Sequence, residues 1–229
     1  MSLEIVTYAN KSQGMFEELV KNEFGVPVKV LGWGKKWNGY SDKSKGLLEY
    51  MKTKNDEDII VFVDGFDSKI NKPITDVVKI FKEYNCRVLF SNNPPWFFQS
   101  LIFGECNDSM GYTKELRQIL QSEADLQCED DQVNLNGLCR KYDFVKVDKD
   151  EKIFKNFSPI QKIKTSDAIF VSFPGTLGIN RYWRGFFEYT QFVYIYVLCL
   201  LVLGMAFFPQ KQRILVTTLV LYTAFYALA

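Results

Sequence analysis

From its first residues the chain alternates short apolar runs with amphipathic stretches. Residues 3–8 form a run with β-branched content that predicts a strand. After the polar residues 10–14, Met15, Phe16, Leu19 and Val20 recur at helical spacing across 15–23. Residues 26–31 predict a second strand, and 43–52 a helix with Leu47, Leu48 and Met51 on one face. The unbroken apolar run 59–63 predicts a strand covered on both sides. A helix over 76–84, a buried strand over 86–91, a helix over 113–122 and a strand over 168–171 follow, with a weaker pattern in the rest of 106–148. Such alternation implies an α/β domain with helices on both faces of a mostly parallel central sheet.

Near residue 189 the pattern changes. Residues 192–208 carry no charge, the short segment 209–213 contains Lys211 and Arg213, and a second apolar run occupies 214–229. At 1.5 Å per residue a helix of about 17 residues covers roughly 25 Å, slightly less than a ~30 Å hydrocarbon core. Tyr189, Tyr194 and Tyr222, with the two loop cations, suit the interfaces and extend the reach. Two buried core helices are the alternative, but the chain offers no obvious surface to cover so much apolar length. The expectation is a domain over residues 1–190 followed by a C-terminal transmembrane helical hairpin over 191–229. Two positive charges lie in the loop and two in 180–185, so charge bias leaves the orientation open.

Composition narrows the chemistry. The 229 residues carry a net charge of +1 and no long run of like charge, which argues against a nucleic-acid partner. There is no His, so His-based nucleophile activation and the commonest zinc ligand are excluded. The five cysteines are odd in number, without CxxC or zinc-like spacing, and read as free thiols. The N-terminal residues read as a strand and lack signal-peptide character. With two spans, this favours a membrane-anchored protein whose N-terminal domain faces the cytosol.

Open α/β sheets bind ligands beyond the carboxyl ends of their strands. The run 59–63 leads directly into Asp64-Gly-Phe-Asp67, two carboxylates three positions apart. Oxygen ligands of this kind suit Mg²⁺ or Mn²⁺, which would hold a diphosphate; turn capping is the equally good alternative. A nucleophilic-aspartate phosphohydrolase normally shows DxD, so the DxxD spacing weakens that reading. Asp130 and Asp131 supply a further acid pair, for which a solvated turn is the plainer reading. The turn Ser172-Phe-Pro-Gly-Thr176 could bring amides to a phosphate. Residues 32–40 mix Trp33, Trp37, glycines and lysines in a way that suits stacking and phosphate neutralisation, and Lys43 opens the next helix.

In order, Thr7-Tyr-Ala-Asn10, Leu31-Gly-x-Gly-x-x-Trp37-Asn38, Lys43, Val63-Asp-Gly-Phe-Asp67, Asn107-Asp-Ser-Met-Gly-Tyr112 and Asp130-Asp-Gln132 resemble the glycosyltransferase domain of procollagen lysyl hydroxylases and related collagen glycosyltransferases. The resemblance covers about residues 3–185, and stand-alone relatives in large DNA viruses make a viral origin, with a host-cell membrane or virion location, part of the expectation. It implies a glycosyltransferase A-type nucleotide-sugar-binding fold, a UDP-sugar donor, a glycan or protein acceptor, and Mn²⁺ (or Mg²⁺) held by Asp64 and Asp67. It further implies that Thr7, Tyr8, Ala9 and Trp37 border the uridine, and that Lys43, Phe66 and Gly175 belong to the donor site. Asn107 and Asp108 would lie near the transferred sugar, and Asp130 and Asp131 near the acceptor.

Ser172 stands where the family places a metal-binding His, leaving Ser172 or water as the third ligand. The family's glycine-rich segment is altered to Asn107-Asp-Ser-Met. The reading is a metal-dependent enzyme moving a hexose from a UDP-sugar to a hydroxyl; a catalytically inactive, membrane-bound structural or assembly protein is the alternative.

Overall fold

The computed structural model describes residues 1–39, 41–92, 108–124, 141–157 and 165–173, together with Thr217. The chain divides into two units, Met1–Leu177 and Gly178–Ala229. The sheets and helices described belong to the first. Among the described residues no helix is long and apolar enough to cross a membrane. The runs 192–208 and 214–229 lie, Thr217 apart, outside those residues.

The elements are β1 (Leu3–Tyr8), α1 (Phe16–Val20), β2 (Val28–Leu31), α2 (Ser41–Met51), β3 (Ile59–Phe62), β4 (Ser68–Ile70), α3 (Val77–Glu83), β5 (Val88–Ser91), β6 (Ser109–Tyr112), α4 (Thr113–Ala124), β7 (Val145–Asp148), β8 (Phe154–Asn156) and β9 (Phe170–Ser172). Six strands form a sheet in the order β2-β1-β3-β6-β5-β7, and three form a second in the order β4-β9-β8. The pairings β1–β2, β1–β3 and β5–β7 are parallel, but β6 runs antiparallel to both its neighbours, β3 and β5. The large sheet is thus mixed, with mainly parallel pairing.

Strand alternation sorts the core into two layers. Ile5, Val61, Val63, Leu89 and Met110 meet Leu19 of α1, Val77 and Phe81 of α3, and Phe154 and Phe170 of the small sheet. The alternate residues Val6, Ile60, Val88 and Phe90 meet Leu47 and Met51 of α2 and Leu116, Ile119 and Leu120 of α4. Helices therefore cover both faces, as the sequence pattern predicts. Helix α1 is shorter than its periodicity suggests because the Asn22 side chain donates to the Leu19 and Val26 carbonyls and accepts from the Val26 amide, folding the chain into a turn.

The chain leaves β1 for β2 on one side and returns through α2 to β3 on the other. A crevice at such a strand-order reversal is the ordinary ligand position of open α/β sheets. Here it is bounded by residues following Tyr8, Leu31 and Phe62.

Candidate active site

The turn after β3 carries both acids of the DxxD sequence and is fitted closely against β1. Thr7 Oγ1 donates to the Val63 carbonyl at 2.8 Å in a buried hydrogen bond. A Cβ at Gly65 would lie 2.9 Å from Thr7 Oγ1, 2.9 Å from the Tyr8 carbonyl oxygen and 3.2 Å from Ala9 Cβ. Only glycine lets the turn come this near, which explains the residue between the acids. The Phe66 carbonyl accepts from the Met15 amide at 2.8 Å, joining the turn to the start of α1.

Asp64 closes the turn on itself: its Oδ1 accepts from the Phe66 amide at 2.9 Å, an Asx arrangement. Its Oδ2 is 2.7 Å from Lys43 Nζ, and each side chain is 18% exposed. Lys43 comes from the first turn of α2, so the crossover from β2 to β3 brings a cation back to the mouth of the crevice. The Asp64 amide donates to Asp108 Oδ1 at 3.0 Å. Asp108 is buried, at 2% exposure, and its Oδ2 accepts from Ser172 Oγ at 2.7 Å. Ser172 and Ser68 face each other in register across β4–β9, with their hydroxyl oxygens 2.6 Å apart.

Three carboxylates thus surround this turn against one ammonium. Loss of hydration, followed by the negative charges of Asp64 and Asp108, pushes the Asp67 carboxyl well above its ordinary range, against the opposing pull of Lys43. Burial pushes Asp108 up to about 6, against the hydrogen bonds from Ser172 and the Asp64 amide. Among the described residues no group of three or more His, Cys, Asp or Glu is arranged to hold a metal ion. A hard cation such as Mg²⁺, however, commonly takes only one or two protein carboxylates and completes its shell with phosphate and water oxygens. Asp64 and Asp67, with excess negative charge around them, fit that chemistry.

The aromatic side of the crevice is built on Tyr8. Its ring lies where a Cβ on Gly32 would be 2.3 Å from its Cζ, and Gly32 has φ +75°. Trp37 packs on Tyr8 with ring centroids 6.1 Å apart, and is 38% exposed. The Asn38 amide donates to Asp42 Oδ2 at 2.8 Å, securing the Trp37 segment to α2. Burial and then Asp42 raise the Tyr8 hydroxyl pKa. Trp33 is 55% exposed and stacks on Phe16 at 5.1 Å.

Of the residues singled out in the sequence, Thr7, Tyr8, Ala9, Trp37, Lys43, Asp64, Phe66 and Asp67 meet around this crevice, with Asp108 and Ser172 buried behind the acids. Asn107, Asp130, Asp131 and Gly175 lie outside the described residues. Sequence reading missed Ser68, because a three-residue strand leaves no periodic signal. It also missed Asp148, which accepts from the amides of Lys152, Ile153 and Phe154 and from the Tyr84 hydroxyl.

An α/β domain with an acidic turn and an aromatic wall at its strand-order reversal is the class of structure found here. Residues 1–167 match the family described as the PLOD GT domain, and the chain belongs to that family of glycosyltransferase domains. It is 29% identical over 189 residues to a Caenorhabditis elegans multifunctional procollagen lysine hydroxylase and glycosyltransferase, with 69% of this chain and 26% of the relative aligned. The chain thus spans about a quarter of that relative's length. Among solved structures, S. aureus TarS 1-349 aligns at TM-score 0.44 and 13% identity, covering 86% of this chain and 66% of that one. A197 from STIV aligns at TM-score 0.34 and 14% identity, covering 53% and 68%.

Proposed function

We propose that this chain is a metal-dependent glycosyltransferase that moves a hexose from a UDP-sugar to a hydroxyl of a glycan or protein. The observation that carries the reading is the Asp64–Asp67 turn, closed by Lys43 at the strand-order reversal, in a chain that belongs to a glycosyltransferase family. Asp64 and Asp67 would hold Mn²⁺ or Mg²⁺, which when bound neutralises charge building on the departing diphosphate. Lys43 adds a fixed positive charge beside Asp64, and its α2 anchorage keeps it there without the donor. Tyr8 and Trp37 offer an aromatic wall for the uracil ring, while Thr7 and Ala9 hold the backbone against the acidic turn. Asn107, Asp130, Asp131 and Gly175 remain the candidates for the sugar, acceptor and diphosphate contacts. The apolar runs 192–208 and 214–229 support a membrane anchor, in a host-cell membrane or a virion, and in a cell the catalytic domain would face the cytosol.

Thermal unfolding of the whole chain with UDP-sugars, with and without Mn²⁺, tests the reading. Ligand at 100 times its dissociation constant adds about 2.7 kcal/mol of stability. The expected result is a shift that needs both the metal and the two acids and disappears in the Asp64→Ala, Asp67→Ala double variant. No shift with any nucleotide sugar would refute it. One observation favours a second reading, a glycosyltransferase-type domain without catalysis: Ser172, in the place of a family metal ligand, has its hydroxyl engaged by Asp108 and Ser68. UDP-sugar hydrolysis that depends on Mn²⁺ and is lost in Asp64→Ala would eliminate it.

A further inference from the structure

We propose that Asp108 is a positioning residue that acts through Ser172, and that Ser172 serves the acidic turn by this contact instead of ligating the cation. The inference rests on the reading of Asp64 and Asp67 as the cation-binding pair. Asp108 is too deeply buried to meet a substrate. One of its oxygens holds the Asp64 amide at 3.0 Å and the other the Ser172 hydroxyl at 2.7 Å. It therefore joins the turn after β3 to β9 of the second sheet. Its carbonyl also accepts from the Ser91 amide at 2.8 Å, which fixes the residue at the neck between β5 and β6.

The proton count gives this linkage a direction. A serine hydroxyl has one proton. Ser172 gives its proton to Asp108, so in the 2.6 Å contact between the two serines Ser68 is the donor. Asp67 Oδ1, 3.5 Å from Ser68 Oγ, competes for that same proton at a much longer distance and loses. The chain of hydroxyls runs from Ser68 through Ser172 to Asp108 and leaves the Asp67 oxygen to a cation. Replacing the Asp108 carboxylate by an amide reverses it: the new amide donates to Ser172, Ser172 to Ser68, and Ser68 to Asp67. Outer groups that orient metal ligands typically change affinity by about 10–100-fold when altered.

The test is a double-mutant cycle on the full chain, reading Mn²⁺ affinity by titration calorimetry and exchange of the Asp64 amide proton. Asp108→Asn and Ser172→Ala are each expected to weaken Mn²⁺ about tenfold or more. The double variant should lose little beyond the weaker single one, because both cut one linkage. Ser172→Thr, which keeps the hydroxyl, should restore affinity, and the Asp64 amide should exchange faster in Asp108→Ala, which removes its acceptor, than in Asp108→Asn, which keeps one. Additive losses, or unchanged exchange at Asp64 in Asp108→Ala, would overturn the positioning role while leaving the cation site standing. No Mn²⁺ binding by the unaltered chain would overturn the proposed function and this inference with it.

Discussion

Gly65→Ala separates two opposed effects whose net sign reports on the fit of the acidic turn. Gly65 does not have a positive φ, so alanine adopts its backbone conformation without strain. By restricting the unfolded chain, such a replacement ordinarily stabilises by about 0.4–1 kcal/mol. Against this stand two contacts of 2.9 Å and one of 3.2 Å for the new Cβ. The Tyr8 carbonyl is backbone of a central strand, and Thr7 Oγ1 is held on the Val63 carbonyl, so neither yields without moving β1 from the turn. Overpacking of this kind costs about 1–3 kcal/mol, which leaves a net loss of up to about 2.5 kcal/mol. For a chain of this size that upper figure corresponds to roughly 5–10 °C in Tm, using about 2–4 °C per kcal/mol. Thermal unfolding by circular dichroism reads it directly, and Mn²⁺ titration should show weaker binding as Asp64 and Asp67 are displaced. A Tm above that of the unaltered chain would refute the close fit of this turn against β1.

Asp148→Ala strips the partner from three backbone amides and the Tyr84 hydroxyl, and is expected to cost on the order of 3 kcal/mol in urea unfolding. Asp58 has its carboxyl pulled down to about 2, first by the Ser2 amide, so its folded-state pKa lies below the unfolded value. Its contribution is therefore fully present above about pH 4 and lost as pH falls through about 2. The stability gap between the unaltered chain and Asp58→Asn should close over that window in acid titrations. Lys43→Met removes the ammonium beside Asp64, and should raise the UDP-sugar KM with a smaller change in kcat, read by steady-state hydrolysis.

The strong periodic segments were legible in the sequence: β1, β3, α2 and α3 fall within a residue or two of the spans their apolar spacing predicts. Strand β6 was not, although it sits in the middle of the large sheet. Ser109-Met-Gly-Tyr112 has a single large aliphatic side chain and none of the β-branched content that marks a strand. Its neighbours β3 and β5 supply the apolar bulk, and it is held by hydrogen-bonding across both. The acids of the site were visible as Asp64 and Asp67 because they end a buried run. The partnership of Asp108 with Ser172 was not visible, because 64 positions separate the two and only the packing of one sheet on the other brings them together.

Because β6 runs against its neighbours, it enters the sheet at the same edge from which β5 leaves. The amide of Ser91, the last residue of β5, is bonded to the carbonyl of Asp108, the residue before β6. The end of β5 and the start of β6 are thereby tied together, as a purse is closed by its string. The knot is made by the residue that also holds the acidic turn, since Asp108 bonds the Asp64 amide and the Ser172 hydroxyl. A disturbance where β5 hands over to β6 is therefore felt at the acids and at the second sheet alike.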